Sequence, residues 1–369
     1  MRNLCAIIVL MVLASVAGAN TWDGDSGTNN FWNNGDNWVE GSRPGFGGTA
    51  TFVGDASTTP NPDLNGSGQV GRGLDFQTSG WTISDSAGGG YIRVDGGLPL
   101  NSQGTGVNHV QCNITGSGGQ PAISVGPDSV LHISGSYGTG LGSPTGTGKV
   151  VFDNPGPDGR NSTSNLDADL TVLFNGVFNH YQMNATAGTI GGTGAVQGYR
   201  YQTSNIGGTA TIAPGGDGTY GPEIGALTWQ SEASSIRHIL TLEDGASLDI
   251  QIGQSLGVND QLRYNSYGSG RLNIQDGVTL NLYGSVIPDG DYTVVTNVAD
   301  DMTDIAGTFS SVNYNGSPID PENFIVTYNP DSIVVSVTGI PEPTSLSVIG
   351  LRALLSITRQ RRSRAVSPD

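Results

Sequence analysis

The chain has 369 residues, of which 58 are glycine, and only 13% of the residues are charged. Glycine costs about 1 kcal/mol relative to alanine at each helical position, so this composition disfavours helices and favours short strands joined by tight turns. Residues 20–340 contain 9 basic and 30 acidic residues, and a net charge of −21 disfavours a nucleic-acid partner, because a phosphate track requires clustered cations.

Residues 1–19 have the three parts of a secretory signal peptide. A charged start and a short apolar run precede small residues, with Ala17 and Ala19 at the two positions that a signal peptidase inspects. We therefore predict export. After cleavage Cys112 is the only cysteine, so packing and strand pairing rather than a disulfide have to hold the exported fold.

Residues 20–59 contain three of the five tryptophans, namely Trp22, Trp32 and Trp38. The open end of a stack of strands exposes unpaired backbone groups, which promotes edge-to-edge association unless they are covered. We predict that residues 20–59 form an N-terminal cap built from these indoles. The alternative is an exposed aromatic platform on which a sugar ring stacks.

Asp23 and Asp25 stand on a glycine-rich turn and resemble the first acidic positions of a calcium loop, since Ca²⁺ prefers carboxylate and carbonyl oxygens. The terminal bidentate glutamate of such a loop is missing, and Pro288–Asp291 is a weaker case of the same kind. We predict ordinary Asp-Gly turns with no cofactor, although so acidic a surface could collect calcium loosely.

Three segments repeat one arrangement of apolar residues, at relative positions 0, 2, 8 and 10 around a turn: residues 123–133, 240–250 and 272–282. In a strand every second side chain faces the same way, so one set points inward. Both a hairpin and a stack of coils fit the pattern. The predicted core residues are Val125, Leu131, Leu242, Leu248, Ile274 and Leu280.

Further strand candidates recur about every 20 residues, which is typical of solenoids and favours stacked coils. We predict an all-β fold, a right-handed parallel β-helix over residues 60–285, with roughly nine to eleven coils between residues 60 and 280. Helices are expected only in the signal peptide and in the C-terminal tail. The strand candidates are Val150–Phe152, Leu170–Phe174, Thr189–Ile190, Thr209–Ile212 and Leu227–Trp229.

Residues 286–339 are predicted to close the other end as an antiparallel β cap. Phe324–Tyr328 and Ile333–Val337 alternate in hydrophobicity, and Pro330 fits the second position of a type I turn between them.

Several short motifs of the body resemble autotransporter-type passenger repeats. The resemblance implies a parallel β-helix with adhesive or matrix roles. The motifs are Trp22, Trp32, Asn37-Trp38, Pro44-Gly45 and Thr49–Phe52 at the start, Gly192–Gly194, Ile212–Gly215 and Ile224–Leu227 in the middle, and Asp260–Leu262, Gly290–Thr293 and Gly307–Phe309 towards the end.

Residues 340–369 contain Pro341, Glu342 and Pro343, then an apolar stretch, then a cluster of arginines. The apolar stretch suits a bilayer and the arginines suit the cytoplasmic side, which gives a transient anchor. The tail resembles a PEP-CTERM sorting signal of Gram-negative bacteria. Arg352 within the apolar stretch departs from that pattern. The basic cluster is Arg359, Arg361, Arg362 and Arg364.

The resemblance implies that an exosortase-type enzyme processes the tail at the inner membrane. It further implies delivery to the cell surface or to the exopolysaccharide matrix, where glycans are expected partners.

Evidence for catalysis is weak in the sequence. His109, His132, His180 and His238 lack metal-ligand spacing and are predicted to be scattered strand or loop residues, and no nucleophile motif accompanies the many serines. The Thr-x-Thr pairs at 49–51, 145–147 and 209–211 are too far apart to form a rank for ice binding. Arg237, Arg263 and Arg271 are candidate bases of a polysaccharide lyase only by residue type.

The sequence therefore favours an exported, non-enzymatic surface or matrix protein with an adhesin-like role. The alternative is a carbohydrate-active protein of the polysaccharide lyase kind, or a carbohydrate-binding β-helix. A cleft with two carboxylates beside an arginine or lysine would favour the enzyme, and smooth polar faces would favour the structural role.

Overall fold

A computed structural model describes residues 18–70, 72–94, 96–116, 119–153, 163–198, 202–216, 224–231, 237–266, 270–285, 287–298 and 305–339. These residues form an all-β structure of 34 strands with a single 3-10 turn at Gly35–Asn37. In this part of the chain no helix is long and apolar enough to cross a membrane. The helices predicted for the signal peptide and the tail lie outside the described residues.

The first fourteen strands make up what we call the N-terminal region. They are β1 (Ala19–Trp22), β2 (Thr49–Phe52), β3 (Gly68–Val70), β4 (Gly73–Phe76), β5 (Thr82–Ile83), β6 (Tyr91–Arg93), β7 (Pro99–Ser102), β8 (Gly106–Val110), β9 (Asn113–Thr115), β10 (Ala122–Val125), β11 (Ser129–Ile133), β12 (Tyr137–Gly138), β13 (Thr145–Gly146) and β14 (Lys149–Phe152).

The other twenty strands make up the C-terminal region. They are β15 (Thr163–Leu166), β16 (Thr171–Phe174), β17 (Val177–His180), β18 (Gln182–Ala185), β19 (Thr189–Gly192), β20 (Ala195–Gly198), β21 (Gln202–Ile206), β22 (Thr211–Pro214), β23 (Ala226–Ser231), β24 (His238–Leu242), β25 (Ser247–Gln251), β26 (Gln261–Asn265), β27 (Arg271–Ile274), β28 (Thr279–Tyr283), β29 (Gly290–Asn297), β30 (Ile305–Ala306), β31 (Ser311–Tyr314), β32 (Ser317–Pro318), β33 (Phe324–Tyr328) and β34 (Ser332–Val337).

One eleven-stranded sheet runs through both regions, in the order β32-β31-β28-β25-β22-β19-β16-β14-β11-β8-β5, and we call it the spine sheet. Ten of its strands are parallel, and only β32 pairs in the antiparallel sense. Nine of the parallel strands fall between Thr82 and Tyr283, within the range of coils expected from the sequence.

Two further sheets accompany the spine sheet in each region. The N-terminal region adds a six-stranded sheet, β1-β2-β4-β7-β10-β13, and a four-stranded sheet, β12-β9-β6-β3. The C-terminal region adds a six-stranded sheet, β15-β18-β21-β24-β27-β30, and a seven-stranded sheet, β17-β20-β23-β26-β29-β34-β33. We name these the β1, β3, β15 and β17 sheets. From β4 to β14, and again from β15 to β31, successive strands visit the three sheets in a fixed order, as expected of a β-helix-like class.

The three repeated segments form corners between sheets rather than hairpins. In the second, β24 pairs with β21 and β27, whereas β25 pairs with β22 and β28, so the two strands never pair with each other. Gly245 and Gly277 occupy the corners with φ of +81° and +87°, which side chains other than glycine rarely adopt. The six predicted core residues are all buried, at 5% exposure or less.

All five evenly spaced strand candidates overlap strands of the structure, but these strands belong to two different sheets. Four of the five evenly spaced candidates lie together in the spine sheet, but Leu227–Trp229 belongs to β23 of the β17 sheet. The reason is a longer coil, since the next spine residue that pairs with Thr211 is Ser247, well beyond Trp229. A strand that follows Thr211 at the spacing of the earlier coils therefore lies in the β17 sheet and not in the spine sheet.

The N-terminal end is covered by Trp22, Trp32 and Trp38, which are at most 2% exposed. Their ring centroids lie 5.0–6.5 Å apart, and the indole N–H groups of Trp22 and Trp38 donate to the carbonyl oxygens of Pro60 and Trp32. The indoles therefore pack as a cap, and burial makes the alternative of an exposed sugar platform wrong.

The C-terminal end has the predicted antiparallel pair. Strands β33 and β34 form a hairpin, and β34 also pairs with β29 in the antiparallel sense. Parallel pairing nevertheless extends past residue 285, because β29 and β31 pair in parallel with β26 and β28. It likewise begins before residue 60, with β1 and β2 as rungs of the β1 sheet.

Candidate functional site

The outer face of the spine sheet presents a column of hydroxyl side chains in the C-terminal region. Consecutive strands place one hydroxyl each in register on the solvent side, and two pairs lie in hydrogen-bond contact, with oxygen–oxygen distances of 2.9 Å for Thr211–Ser247 and 2.8 Å for Thr279–Ser311. We call this column the hydroxyl ladder. Its members are Thr171, Thr189, Thr211, Ser247, Thr279 and Ser311.

An acid and two amides stand beside the ladder, two residues further along β25, β28 and β31. Asn281 Nδ2 donates to Asp249 Oδ1 at 2.8 Å, and Asn313 Nδ2 donates to Asn281 Oδ1 at 3.0 Å. Tyr283 Oη donates to the other carboxylate oxygen of Asp249 at 3.3 Å. Burial raises the pKa of Asp249, and the hydrogen bonds from Asn281, Ser247 and Tyr283 partly oppose that change.

Other faces repeat the arrangement. On the β15 sheet Asn165, Asn184 and Asn205 are in register, and Asn184 Nδ2 donates to Asn165 Oδ1 at 3.0 Å. Such columns use the spacing of about 4.8 Å between strands, at which identical amides bond to one another. The β1 sheet carries a polar column of Thr51, Asp75, Asn101, Ser124 and Thr145.

A groove of about 610 Å³ lies at the C-terminal ends of β25 and β28, the ends opposite the ladder residues. Asn315 stabilises one wall of the groove. Its Oδ1 accepts a hydrogen bond from the Gly284 N–H at 3.2 Å, and its Nδ2 donates to the Gly284 carbonyl oxygen at 2.8 Å. Gln254 Nε2 donates to Ser285 Oγ at 3.3 Å. The described residues that line it are uncharged: Ile224, Gln251, Ile252, Gly253, Gln254, Gly284, Ser285 and Asn315.

Asp260 fixes the positions of two walls of this groove. It is 4% exposed, and its two carboxylate oxygens accept the backbone N–H groups of Gly225 and Gln251, both at 2.9 Å. Burial raises the pKa of Asp260 to about 6, with the two hydrogen bonds acting in the opposite direction. The chain segments at Gly225 and Gln251 are therefore joined through one buried carboxyl group.

The candidate catalytic arginines do not meet at this groove. Arg237 and Arg271 are exposed, and Arg263 Nε donates to Gln261 Oε1 at 3.3 Å on β26. None of these three arginines is among the described residues that line the groove.

The four histidines form two pairs, which corrects the prediction that they are scattered. His109 and His132 occupy neighbouring rungs of the spine sheet, with ring centroids 4.7 Å apart. His180 and His238 face each other inside the C-terminal region at 5.5 Å. His109 and His132 are separated in the sequence by one full coil. Spacing rules for metal sites do not consider this separation, so they miss the pair.

Burial disfavours the charged form of both histidines of the interior pair. Burial lowers the pKa of His238 to about 4, and burial together with the nearby His238 moves the pKa of His180 well below its ordinary value. His238 Nε2 lies 3.0 Å from Ser204 Oγ, whereas neither ring nitrogen of His180 has a hydrogen-bond partner. Gly198 makes room for the imidazole of His238, since a Cβ there would overlap the ring.

Of the weak calcium candidates, Asp23 holds a local turn, whereas Asp291 lies within β29. Asp23 accepts the backbone N–H of Asp25 at 3.2 Å, while Asp289 and Asp291 accept hydrogen bonds from Gly339 and Ser336 of the C-terminal cap. Within the described ranges, no group of three or more His, Cys, Asp or Glu side chains is arranged to hold a metal ion.

Two other sequence predictions concern cysteine and the terminal signals. Cys112 is buried and unpaired, and burial raises the pKa of its thiol to about 12. Ala19 is the first residue of β1. Ala17, Pro341, Glu342, Pro343 and the cluster Arg359, Arg361, Arg362 and Arg364 lie outside the described residues.

No protein-family model matches the chain, and a search of curated proteins finds no relative of it. The geometry of the faces and of the groove is therefore the basis for the functional argument.

Proposed function

We propose that this chain is an exported, non-enzymatic structural or adhesin-like protein of the cell surface or extracellular matrix, folded as a right-handed parallel β-helix. Most strands pair with the strand three elements later, which supports the coiled path. The right-handed sense follows from the preference of parallel strand connections for that hand.

The observation that carries the role is the row of polar side chains on the outer faces, above all the hydroxyl ladder and the asparagine column of the β15 sheet. Each repeats a weak donor or acceptor along the molecule at the strand spacing. A polymer that makes one weak contact per coil gains avidity from many contacts, without any deep pocket. Glycans of a surface or exopolysaccharide matrix have hydroxyl groups suited to such contacts.

The localisation in this proposal depends on the two ends of the sequence. The signal peptide would deliver the chain to the export machinery, and the tail would hold it in the inner membrane until an exosortase-type enzyme processes it. The expected product is a protein on the surface of a Gram-negative bacterium or in its matrix.

Mass spectrometry of the protein recovered from the cell surface tests this localisation and the processing of both ends. We expect a mature N-terminus at Asn20 and a C-terminus close to Pro341–Pro343. Replacing those three residues with alanines should leave a longer form in the membrane fraction. Surface material that still ends at Asp369 would contradict this part of the proposal.

The uncharged groove favours a second candidate function, binding of a neutral carbohydrate. Amide and hydroxyl groups of Gln254, Ser285 and Asn315 surround a surface with apolar patches, which is the mixture that sugar rings require. A glycan array on the purified chain should give hits that Gln254→Ala removes. Gln103→Ala, an exposed amide of the N-terminal region, is the matched control and should keep them. An array without glycan-specific signal would contradict this second function.

A further inference from the structure

His109 and His132 are brought together on the outer face of the spine sheet. They occupy adjacent rungs of β8 and β11, directly in register, so that both side chains project from the same face. Their ring centroids are 4.7 Å apart and the ring planes are inclined by 47°. Neither ring is buried, and the side chain of His132 is 25% exposed.

Asp153 orients one of the two rings. Its Oδ2 lies 2.6 Å from His132 Nε2, and its Oδ1 accepts a hydrogen bond from Asn175 Nδ2 at 3.1 Å. Partial burial opposes ionisation of Asp153, but the hydrogen bonds from Asn175 and His132 prevail and lower its pKa. A carboxylate at Nε2 favours the tautomer with the proton on that atom, which leaves the lone pair of His132 on Nδ1.

His109 supplies a second neutral imidazole. Burial, and then the neighbouring His132, lower its pKa, while Asp153 acts in the opposite direction. An imidazole without the second proton has a lone pair on one ring nitrogen for coordination. Two nitrogens on one metal ion are about 3 Å apart, because each metal–nitrogen bond is about 2.0–2.1 Å. Rings whose centroids are 4.7 Å apart can bring one nitrogen each to that separation by turning about their side-chain bonds.

We propose that His109 and His132 together bind one divalent transition-metal ion, with Asp153 positioning His132 and water completing the coordination. Imidazole nitrogen suits Cu²⁺, Ni²⁺ and Zn²⁺ rather than Ca²⁺ or Mg²⁺, and Cu²⁺ forms the most stable complexes in this series. With only two protein ligands the ion is exchangeable. A carboxylate that holds the outer nitrogen of a metal-bound histidine is a recurrent arrangement in metal sites.

The remaining soft ligands of the described chain compete poorly for the ion. His180 and His238 are fully buried in the C-terminal region, and Cys112 is 2% exposed. The site is also independent of the proposed surface role, because it uses neither the hydroxyl ladder nor the groove.

Titration of the purified full chain with Cu²⁺ at pH 7.5, with glycine as a weak competitor, tests the proposal. We expect one equivalent to bind more tightly than the rest. Electron paramagnetic resonance, with spin-echo detection of the remote imidazole nitrogens, should report two imidazoles on that ion.

Variants separate the roles of the three residues. His109→Gln and His132→Gln should each weaken binding of the first equivalent by at least about tenfold and reduce the imidazole count from two to one. Asp153→Asn should keep both imidazoles and weaken binding by about tenfold, as expected for a group that only orients a ligand. Asp167→Asn, which removes an exposed carboxylate of the C-terminal region, is the control and should change neither value.

Three results would overturn the assignment. The first is a wild-type chain without a distinguished equivalent, and the second is a spectrum with one imidazole or none. The third is undiminished affinity in both histidine variants, with their circular dichroism spectra unchanged. Full affinity in Asp153→Asn would overturn the positioning role of that carboxylate.

Discussion

The N-terminal and C-terminal regions share the spine sheet but fill the space behind it differently. Behind the first strands lies a continuous run of aromatic rings, from the three cap indoles to Phe52, Phe76 and Trp81, with neighbouring centroids 4.8–6.5 Å apart. Behind the later strands the interior also contains His180, His238 and the carboxyl group of Asp260.

The length of the coils differs as well. In the N-terminal region Leu131 pairs with Asn108 and Val150 of the neighbouring rungs, whereas in the C-terminal region Leu248 pairs with the more distant Ile212 and Leu280. The longer coils begin after Thr211, because Thr171, Thr189 and Thr211 still pair at the shorter spacing. The comparison indicates that hydrocarbon dominates the interior behind the first strands, whereas His180, His238 and Asp260 add a dependence on pH to the stability of the C-terminal region.

A buried charge on the inner face of the spine sheet should lower the free energy of unfolding more than any other change considered. The loss should be equal in the two regions. Leu131→Asp and Leu248→Asp each place a carboxylate at a fully buried position, with an expected loss of more than about 4 kcal/mol in the free energy of unfolding. Urea denaturation of each variant measures this loss. Val107→Asp, at an outward-facing position of β8 that is 38% exposed, is the control and should cost less than about 1 kcal/mol. A mild effect of Leu248→Asp would mean that this side chain does not face the interior.

Removal of an indole should affect only the N-terminal region. Trp38→Ala leaves a cavity among Trp22, Trp32 and the first strands, with an expected cost of about 3–5 kcal/mol. Hydrogen exchange should accelerate in β1 and β2 but remain as it was in β25 and β28. Val39→Ala, at a position 63% exposed, provides the adjacent control. Equal acceleration in both regions would contradict their independence.

Local regularities made the core and the ends predictable from the sequence. The alternation around Val125 and Leu131 identifies the buried side, the glycine after an aspartate identifies a corner, and the apolar runs after Phe324 identify a hairpin. Each of these signals depends on close neighbours along the sequence, which the chain itself specifies.

Contacts between coils were not predictable in the same way, because they depend on how many residues each coil contains. The longer coil after Thr211 moves every later side chain to a new neighbour. For this reason the sequence did not reveal the hydroxyl ladder or the pairing of His180 with His238. Gln251, Ser285 and Asn315 likewise come from three separate coils and form a groove without any motif in the sequence.

Acid should destabilise the C-terminal region through its interior histidines. The pKa of His238 is lowered to about 4 in the folded chain, against an ordinary value of 6.5, so the stability it contributes is complete above pH 6.5 and is lost as the pH falls towards 4. The loss from this residue is on the order of 3 kcal/mol. The free energy of unfolding, measured by denaturation between pH 7.5 and 4.5, should depend less on pH in His238→Phe than in the wild type. If the free energy of unfolding of this variant depends on pH as strongly as that of the wild type, the acid sensitivity originates elsewhere.

The carboxyl group of Asp260 should produce the smallest of these effects, with the opposite dependence on pH. Its pKa is raised to about 6 from 3.8, so the folded chain holds the proton more tightly than the unfolded chain does. The stability it contributes is therefore present below about pH 4 and is lost as the pH rises through 6, a change on the order of 2–3 kcal/mol. Asp260→Asn cannot ionise, although its amide group can accept only one of the two N–H groups of Gly225 and Gln251. We expect the stability of this variant relative to the wild type to rise between pH 4 and 6 and to level off above pH 6.5, as measured by urea denaturation. A relative stability that stays constant or falls over this range would mean that Asp260 ionises as readily in the fold as in the unfolded chain, and the contrast between the two regions would then depend on the histidines alone.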